Sequence, residues 1–262
     1  MLGVGRMGRL IIKRLVELGH EVVAAVDAPG AQSLGSDVGL LAGVKATGVE
    51  VSGSDKLAET LSKTRPDVAV DFSTAQACVE NAKTVAKSRV NLVIGTTGFT
   101  EEQKKEIENT VRKNGVGAVV STNMSVGVNV YWRLVREAAR MLGGYDIEII
   151  EAHHRFKKDA PSGTALKTAE VICEELGKNL GDVVVYGREG DALRKEGDIG
   201  IHAIRAGDIV GEHTVIFSTV GERVEVTHRA HSRDALVSGA VKAVDFIVGK
   251  KGLYSMGDVL GL

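Results

Sequence analysis

Apolar positions in the first half of the chain fall alternately into helical and strand-like runs. Leu10, Ile11, Ile12, Leu15, Val16 and Leu18 repeat at the spacing of one helix face and stop at Gly19. Glu21-Val22-Val23-Ala24-Ala25-Val26 follows as a buried-strand run. Pro66-Asp67-Val68-Ala69-Val70-Asp71-Phe72-Ser73 is a second such run, ending in a polar loop. Thr74 to Ser88 reads as a helix, and Val90-Asn91-Leu92-Val93-Ile94 as a strand closed by Gly95-Thr96-Thr97-Gly98. Thr100 with Glu101, Glu102 and Gln103 has the form of a helix start, and the helix extends to about Asn114. Gly117-Ala118-Val119-Val120 is a further strand, ending at Ser121-Thr122-Asn123-Met124. Such alternation predicts an α/β fold built on a Rossmann-type doubly wound parallel sheet.

The rhythm changes in the second half. Ser125 to Met141 is helical in period and ends at Gly143-Gly144, and Asp146 to Glu151 is strand-like. Pro161-Ser162-Gly163-Thr164 precedes Ala165, Leu166, Ala169, Ile172 and Leu176, which predicts a helix capped by Ser162 or Thr164. Asp182 to Tyr186, Ile199 to Arg205, Gly211 to Thr219 and Glu222 to His228 are strand runs separated by glycines. They predict a second α+β domain with a mostly antiparallel sheet. Asp234 to Val248 reads as a helix returning to the first domain. The expected division is therefore 1–123 with 234–262, and 124–233.

Gly3-Val4-Gly5-Arg6-Met7-Gly8 fits G-x-G-x-x-G at the start of a helix, where glycines let the backbone approach a pyrophosphate closely. Asp27 stands nineteen residues beyond Gly8, at the end of the next strand run. There a carboxylate accepts hydrogen bonds from the adenosine ribose hydroxyls and repels a 2′-phosphate. Ala28 follows with no adjacent arginine, so NADH is the expected cofactor, with NADPH as the alternative. The competing readings are a plain strand-to-helix turn for Gly3 to Gly8 and a turn-forming role for Asp27 before Ala28-Pro29-Gly30. Ligands of open parallel sheets bind at the carboxyl ends of strands, so Phe72, Gly95, Thr96, Thr97, Ser121, Thr122, Asn123 and Met124 are expected to line the nicotinamide half. Only Met1 and Leu2 precede the first glycine, where such a sheet uses an apolar strand of about five residues. The expectation is that most of that strand is missing, with the true start upstream, or that the fold tolerates a stub.

A length of 262 residues suits one large domain or two modest ones, and 44% hydrophobic residues allow a sizeable core. Lys plus Arg (33) nearly cancel Asp plus Glu (34), so no nucleic-acid or membrane partner is expected. The two cysteines, Cys78 and Cys173, fall in helical contexts without metal-ligand spacing, so neither a disulfide nor a metal site is expected. No transmembrane-length run or signal pattern is present, and cytoplasmic residence is the expectation.

Against that balanced background, the fourteen residues from Glu151 to Thr164 concentrate charge. His153 and His154 exchange protons near neutrality, and Arg155, Lys157 and Lys158 hold positive charge ahead of the helix start at Ser162. A small anionic substrate would sit between a helix N-terminus and the lysines.

Together with Arg6-Met7-Gly8, Asp71-Phe72-Ser73, Gly95 to Phe99, Ser125-Val126-Gly127-Val128-Asn129 and Arg205 to His213, this segment resembles 4-hydroxy-tetrahydrodipicolinate (dihydrodipicolinate) reductases nearly end to end. The resemblance implies NAD(P)H-dependent reduction of a cyclic unsaturated dicarboxylate to tetrahydrodipicolinate, with loss of water, in lysine and diaminopimelate biosynthesis. It implies that His153 is the proton donor and acceptor, that Lys157 is a second proton donor, and that His154, Gly163 and Thr164 bind substrate. It also implies a homotetramer assembled through the second domain's sheet. The chain departs from some relatives at Met124, where they carry an aromatic residue, and at Ala28, where they carry arginine. Rival readings are an NAD-sensing protein without turnover and an oxidoreductase for another acid, such as an aspartate dehydrogenase or a semialdehyde reductase. A sensor would be marked by loss of the donor set, which is present here. A semialdehyde reductase normally needs a nucleophilic cysteine.

Overall fold

Short runs of buried valine, alanine, leucine and isoleucine set the architecture. The computed structural model describes residues 1–262, which form two compact units, Met1–Val126 with Leu236–Leu262, and Gly127–Ala235. In the first unit helix α1 (Arg6–Glu17) is followed by β1 (Ala25–Asp27), a single turn α2 (Val38–Leu41), β2 (Val51–Gly53), α3 (Leu57–Thr64), β3 (Val68–Asp71), α4 (Ala75–Lys87), β4 (Asn91–Ile94), α5 (Glu101–Asn114) and β5 (Gly117–Val120). Every pairing among these strands is parallel: β1 with β2, β3 with β4, and β4 with β5.

Leu2 joins the β1–β2 pair to the rest. Its N–H donates to Val70 O at 2.8 Å and its carbonyl accepts from Phe72 N at 3.0 Å, while Gly3 N donates to Val26 O at 2.8 Å. It thus makes parallel bridges to Val26 and to Asp71, in the place of a central strand. The expected strand Glu21 to Val26 is correspondingly short: only Ala25–Asp27 is paired. Its ladder begins with Val51 opposite Ala25, and the Met1 ammonium donates to Ala24 O at 2.9 Å, while residues 21–23 stand outside the ladder. Beside them lies a cavity of about 370 Å³ lined by Met1, Leu2, Val22, Ala24, Leu57 and Val68.

Period-two alternation divides the strand side chains between two faces. Ala69, Leu92, Ile94 and Ala118 pack with Leu61, Val79, Val85, Ile107 and Val111 of α3, α4 and α5. Val70, Val93 and Val119 pack with Ile11 and Leu15 of α1 on the other side. Because Leu2, Asp71, Ile94 and Val120 stand in register, the loops that follow them leave from one edge of the sheet.

The second unit opens with α6 (Val126–Leu142) and β6 (Asp146–His153), then α7 (Gly163–Leu176), a single turn α8 (Leu180–Val183), and strands β7 (Val184–Tyr186), β8 (Ile199–Arg205), β9 (Gly211–Thr219) and β10 (Glu222–Ala230). The sheet order is β10-β9-β6-β8-β7. The β10–β9 and β9–β6 pairs, which join the longest strands, are antiparallel, whereas β6–β8 and β8–β7 are parallel, so the sheet is mixed with most of its ladder antiparallel, as expected. The chain leaves β6 through α7 to reach β7 at the edge of the sheet, and β8 then enters between them, parallel to both. Tyr131, Val135 and Ala139 of α6 and Ala165, Ala169 and Ile172 of α7 cover Ile147, Ile149, Ile199, Ile201, Val215 and Phe217 on one sheet face.

The chain then re-enters the first unit through α9 (Asp234–Ile247), followed by β11 (Gly252–Tyr254), which pairs parallel with β5, and α10 (Met256–Leu260). No helix is long and apolar enough to cross a membrane. Val237, Ala240, Val241, Val244 and Ile247 of α9 complete the core around Val119 and Met124. At Gly239 that packing is a backbone contact: a Cβ there would lie 1.6 Å from the Met124 carbonyl oxygen. Gly239→Ala is therefore expected to lower stability by about 1–3 kcal/mol through overpacking, read as a lower urea midpoint with an unchanged denaturant slope.

Candidate active site

The glycine turn is shaped by what its missing side chains would strike. Gly3 has φ +84°, and a Cβ on it would sit 2.7 Å from the Phe72 carbonyl oxygen; at Gly8 a Cβ would sit 2.0 Å from the Gly3 carbonyl oxygen. A Cβ at Gly5, by contrast, would meet nothing within 4 Å. Two glycines close the turn and the middle one keeps the approach to α1 open. Gly5 also caps α1 without a side-chain hydrogen bond, so the first-turn N–H groups are left to an external acceptor. That arrangement fits a dinucleotide pyrophosphate.

Around the turn the expected cofactor residues divide by what they present. Val4 is buried with Ile12, Ala25, Val38 and Val51, and Met124 is buried beneath α9, so each can offer a ligand only its backbone. Arg6 is exposed, while Met7 lies partly against the core. Asp27 accepts from Ala28 N at 2.9 Å on one oxygen, and from Ser33 Oγ at 2.9 Å and Val4 N at 3.3 Å on the other. A carboxylate has about four acceptor positions, so one remains for a ribose hydroxyl. Ser33, buried and unremarked in the sequence, is what orients it.

Asp71 organises the neighbouring loops. It is fully buried and accepts from Ser73 N at 2.9 Å, Ser73 Oγ at 2.7 Å, Thr96 Oγ1 at 2.9 Å and Asn81 Nδ2 at 2.8 Å. One carboxylate thus ties the loop after β3, the loop after β4 and helix α4 together. Thr96 is committed to it, leaving Thr97 exposed at the loop tip. The Phe72 ring lies over Gly95, where a Cβ would come within 2.1 Å of it. After β5, Ser121 Oγ donates to Asn123 O at 2.8 Å and accepts from Asn123 N at 3.2 Å, with Thr122 exposed between them. Burial pushes both cysteine thiols up, and the Asp71 charge adds to it at Cys78, so neither is an activated nucleophile. No group of three or more His, Cys, Asp or Glu side chains is arranged to hold a metal ion.

In the second unit β6 runs two residues past its expected end and carries His153 into the sheet. The link from β8 to β9 crosses over that end, with Ala206 N donating to His153 O at 3.0 Å and Arg155 N to Gly207 O at 3.2 Å. His153 is therefore buried, and its Nδ1 lies 2.6 Å from Glu151 Oε2. Glu151 has no exposed surface; it also accepts from Arg205 Nη1 at 2.8 Å, Arg205 Nη2 at 2.7 Å and Ser162 N at 3.0 Å. Burial pushes this carboxyl up, but the His153 and Arg205 bonds and the Ser162 N–H outweigh it and hold it at about 2. Ser162 is the cap of α7, its Oγ accepting from Ala165 N at 3.2 Å, and a Cβ at Gly163 would meet nothing within 4 Å. The helix start carrying Gly163 and Thr164 is thus held beside His153. His154 is half-buried with Nδ1 shielded and unpartnered, and Lys157 Nζ pairs with Asp159 Oδ1 at 2.9 Å.

Sequence reasoning gave no site role to Glu151, Arg205 and His213, and read Ser162 only as a candidate helix cap. The signal that finds them is strand register: His153 stands opposite Arg205 on β8, and Glu151 opposite His213 on β9. His213 Nε2 lies 3.1 Å from Ser162 Oγ, and its ring stands edge-on to His153 at 5.2 Å between centroids. Burial, with the nearby His153 charge second, pushes His213 down to about 3 from an ordinary 6.5.

Between those two values the unfolded chain binds the proton and the folded chain does not, so stability rises with pH from about 3 to 6.5. Glu151, held at about 2 against an ordinary 4.5, acts in the same direction over its own lower window. The thermal midpoint is expected to fall as pH drops below 6.5. His213→Asn should flatten the part of the curve above 4.5, a difference on the order of 3 kcal/mol, whereas a superimposable pH curve would remove His213 as its source.

Residues 1–124 match the family description "Dihydrodipicolinate reductase, N-terminus" and residues 127–260 match "Dihydrodipicolinate reductase, C-terminus". The chain is 53% identical over 262 residues to the 4-hydroxy-tetrahydrodipicolinate reductase of Methanocaldococcus jannaschii, covering 99% of this chain and 95% of that protein. It is 50% identical to the same-named enzyme of Methanothermobacter thermautotrophicus, covering 98% and 96%. Among solved structures, the dipicolinate-bound dihydrodipicolinate reductase of Paenisporosarcina sp. TG-14 superimposes with a TM-score of 0.75 at 26% identity, covering 97% of this chain and 95% of that one. With both halves matched and about half of all positions shared with relatives of nearly equal length, the chain belongs to the dihydrodipicolinate reductase family.

Proposed function

We propose that this chain reduces 4-hydroxy-tetrahydrodipicolinate to tetrahydrodipicolinate with NAD(P)H, releasing water, in diaminopimelate and lysine biosynthesis. The observation that carries the reading is the Glu151–Thr164 segment, in which a buried imidazole and a capped helix start share the Glu151 carboxylate and the loop between them carries a lysine, in a chain of this family. Met1–Val126 with Leu236–Leu262 is the dinucleotide-binding domain, and Gly127–Ala235 holds the substrate.

NAD(P)H, when bound, supplies the hydride that reduces the ring. The glycine turn from Gly3 to Gly8 holds the pyrophosphate, Asp27 the adenosine ribose, and the loops at Phe72, Gly95–Thr97 and Ser121–Met124 the nicotinamide half. NADH is the preferred form, because Asp27 repels a 2′-phosphate and Ala28 provides no cation for one. The substrate is a cyclic dicarboxylate, in keeping with the dipicolinate bound to the Paenisporosarcina relative. One of its carboxylates is received by Gly163 and Thr164 at the start of α7, where the helix dipole favours negative charge. His154, whose shielded Nδ1 lacks a partner within the chain, binds substrate. His153 gives a proton to the ring from Nε2, and Lys157, drawn from Asp159 by the substrate's negative charge, is the second donor.

The uncovered face of the second sheet supports a homotetramer. The cluster of α6 and α7 covers one face, while on the other Ile204 of β8 remains exposed at 46%. A cytoplasmic location fits a chain without a membrane-crossing helix and with free, buried cysteines.

The decisive assay supplies the cyclic condensation product of pyruvate and aspartate semialdehyde and follows oxidation of NADH and NADPH in parallel. His153→Ala and Lys157→Ala are each expected to lower kcat by about two orders of magnitude or more. His154→Ala should act chiefly on KM. Unchanged turnover in both donor variants would remove the proposed chemistry, and a much lower KM for NADPH than for NADH would reverse the cofactor preference.

A further inference from the structure

We infer that Glu151 is a positioning residue for the reaction: its buried carboxylate fixes the tautomer of His153 and locks the imidazole to the helix start that receives the substrate. The inference rests on the proposed reductase reading. An ionised carboxylate accepts hydrogen bonds and donates none, so at 2.6 Å it is Nδ1 of His153 that donates to Glu151 Oε2. Proton exchange with a substrate is thereby confined to Nε2. That nitrogen faces Gly211, where an added Cβ would lie only 3.1 Å from it, so glycine at the start of β9 keeps Nε2 uncrowded.

The other oxygen of Glu151 takes Ser162 N at 3.0 Å, which fixes the cap of α7 to the same hub. Arg205 spans both oxygens and donates onward to Asp159 O at 2.6 Å, so the loop carrying Lys157 is tied in as well. The charged and titratable groups around the His153 ring are thus Glu151 on its own strand, Arg205 opposite it on β8 and His213 on β9, with Asp159, paired with Lys157, reached through Arg205 on the loop after β6. Of these, Glu151 alone accepts at Nδ1, and it is the only group among them that contacts His153, Ser162 and Arg205 together. A carboxylate partner of this kind holds an imidazole in one orientation and favours its protonated form when the other nitrogen takes up charge.

The test separates this inference from the reading beneath it. Histidine NMR of the ¹⁵N-labelled wild-type protein, with His153 assigned by comparison with His153→Gln, requires neither turnover nor a variant at Glu151. Neutral His153 is expected to carry its proton on Nδ1, and a proton on Nε2 instead would overturn the inference even if the enzyme is active. Wild-type protein inactive on the cyclic substrate would sink the reductase reading while leaving the tautomer result standing. In an active enzyme, Glu151→Gln is expected to lower kcat roughly 10–100-fold with little change in KM. Loss of the negative charge disfavours the imidazolium, so the alkaline fall of kcat should move to lower pH. A Glu151→Gln protein with reduced thermal stability but the wild-type kcat and pH profile would make Glu151 a purely structural residue.

Discussion

A charge removed from water must be met by donors, and in the second unit that requirement is concentrated on Glu151. Its carboxylate has no exposed surface, yet it is held ionised by an imidazole, a guanidinium that spans both oxygens and a backbone N–H. Those donors come from three places in the chain, the end of β6, the end of β8 and the cap of α7, and Arg205 donates onward to the Asp159 carbonyl, which ties in the loop there. None can move far without leaving a buried charge unpaired, which is costly in a way that loss of an exposed ion pair is not. The precision of the candidate site is therefore set by electrostatics inside the sheet rather than by the loop that carries its basic residues.

Asp71 solves the same problem in the first unit. It too is fully buried, and its donors are Ser73, Thr96 and Asn81, which belong to two loops and a helix. Parallel strands bring the loops to one edge, but nothing in strand pairing fixes how they lie there. A shared buried acceptor does so, and the stacking of Phe72 on Gly95 completes the arrangement with a contact that any side chain at position 95 would break.

Much of this was legible along the chain, for reasons that can be stated residue by residue. The starts of α5 and α7 are local chemistry, Thr100 with Gln103 as a capping box and Ser162 accepting from Ala165 N, so they could be read from neighbours in sequence. The limits of β8 and β9 follow from apolar runs bounded by glycine. The segment from residue 31 to 65 was not read, because β2 is three residues long and owes its strand character to pairing with β1, not to its own pattern. The parallel pairs within the second sheet are not marked along the chain, since apolar alternation is the same in either strand direction. The hub at Glu151 was hidden for a related reason: Arg205 lies fifty-four positions away and meets Glu151 only through the register of β6 against β8.

The charge balance of the hub explains how a carboxylate can stand beside the proposed site for anions. Glu151 alone would repel a substrate that carries two carboxylates of its own, by several kcal/mol at close range in a partly desolvated pocket. Arg205 cancels that charge within the sheet while leaving the geometry imposed on His153 intact. What faces outward is then the excess of Arg155, Lys157 and Lys158 over Asp159, together with the positive end of α7. His213, neutral through burial, adds no positive charge beside the His153 ring at 5.2 Å. The interior supplies orientation at no net charge, and the loop supplies charge at no cost in burial. Under the proposed function, this division lets one short segment serve both as an anion receptor and as a proton donor.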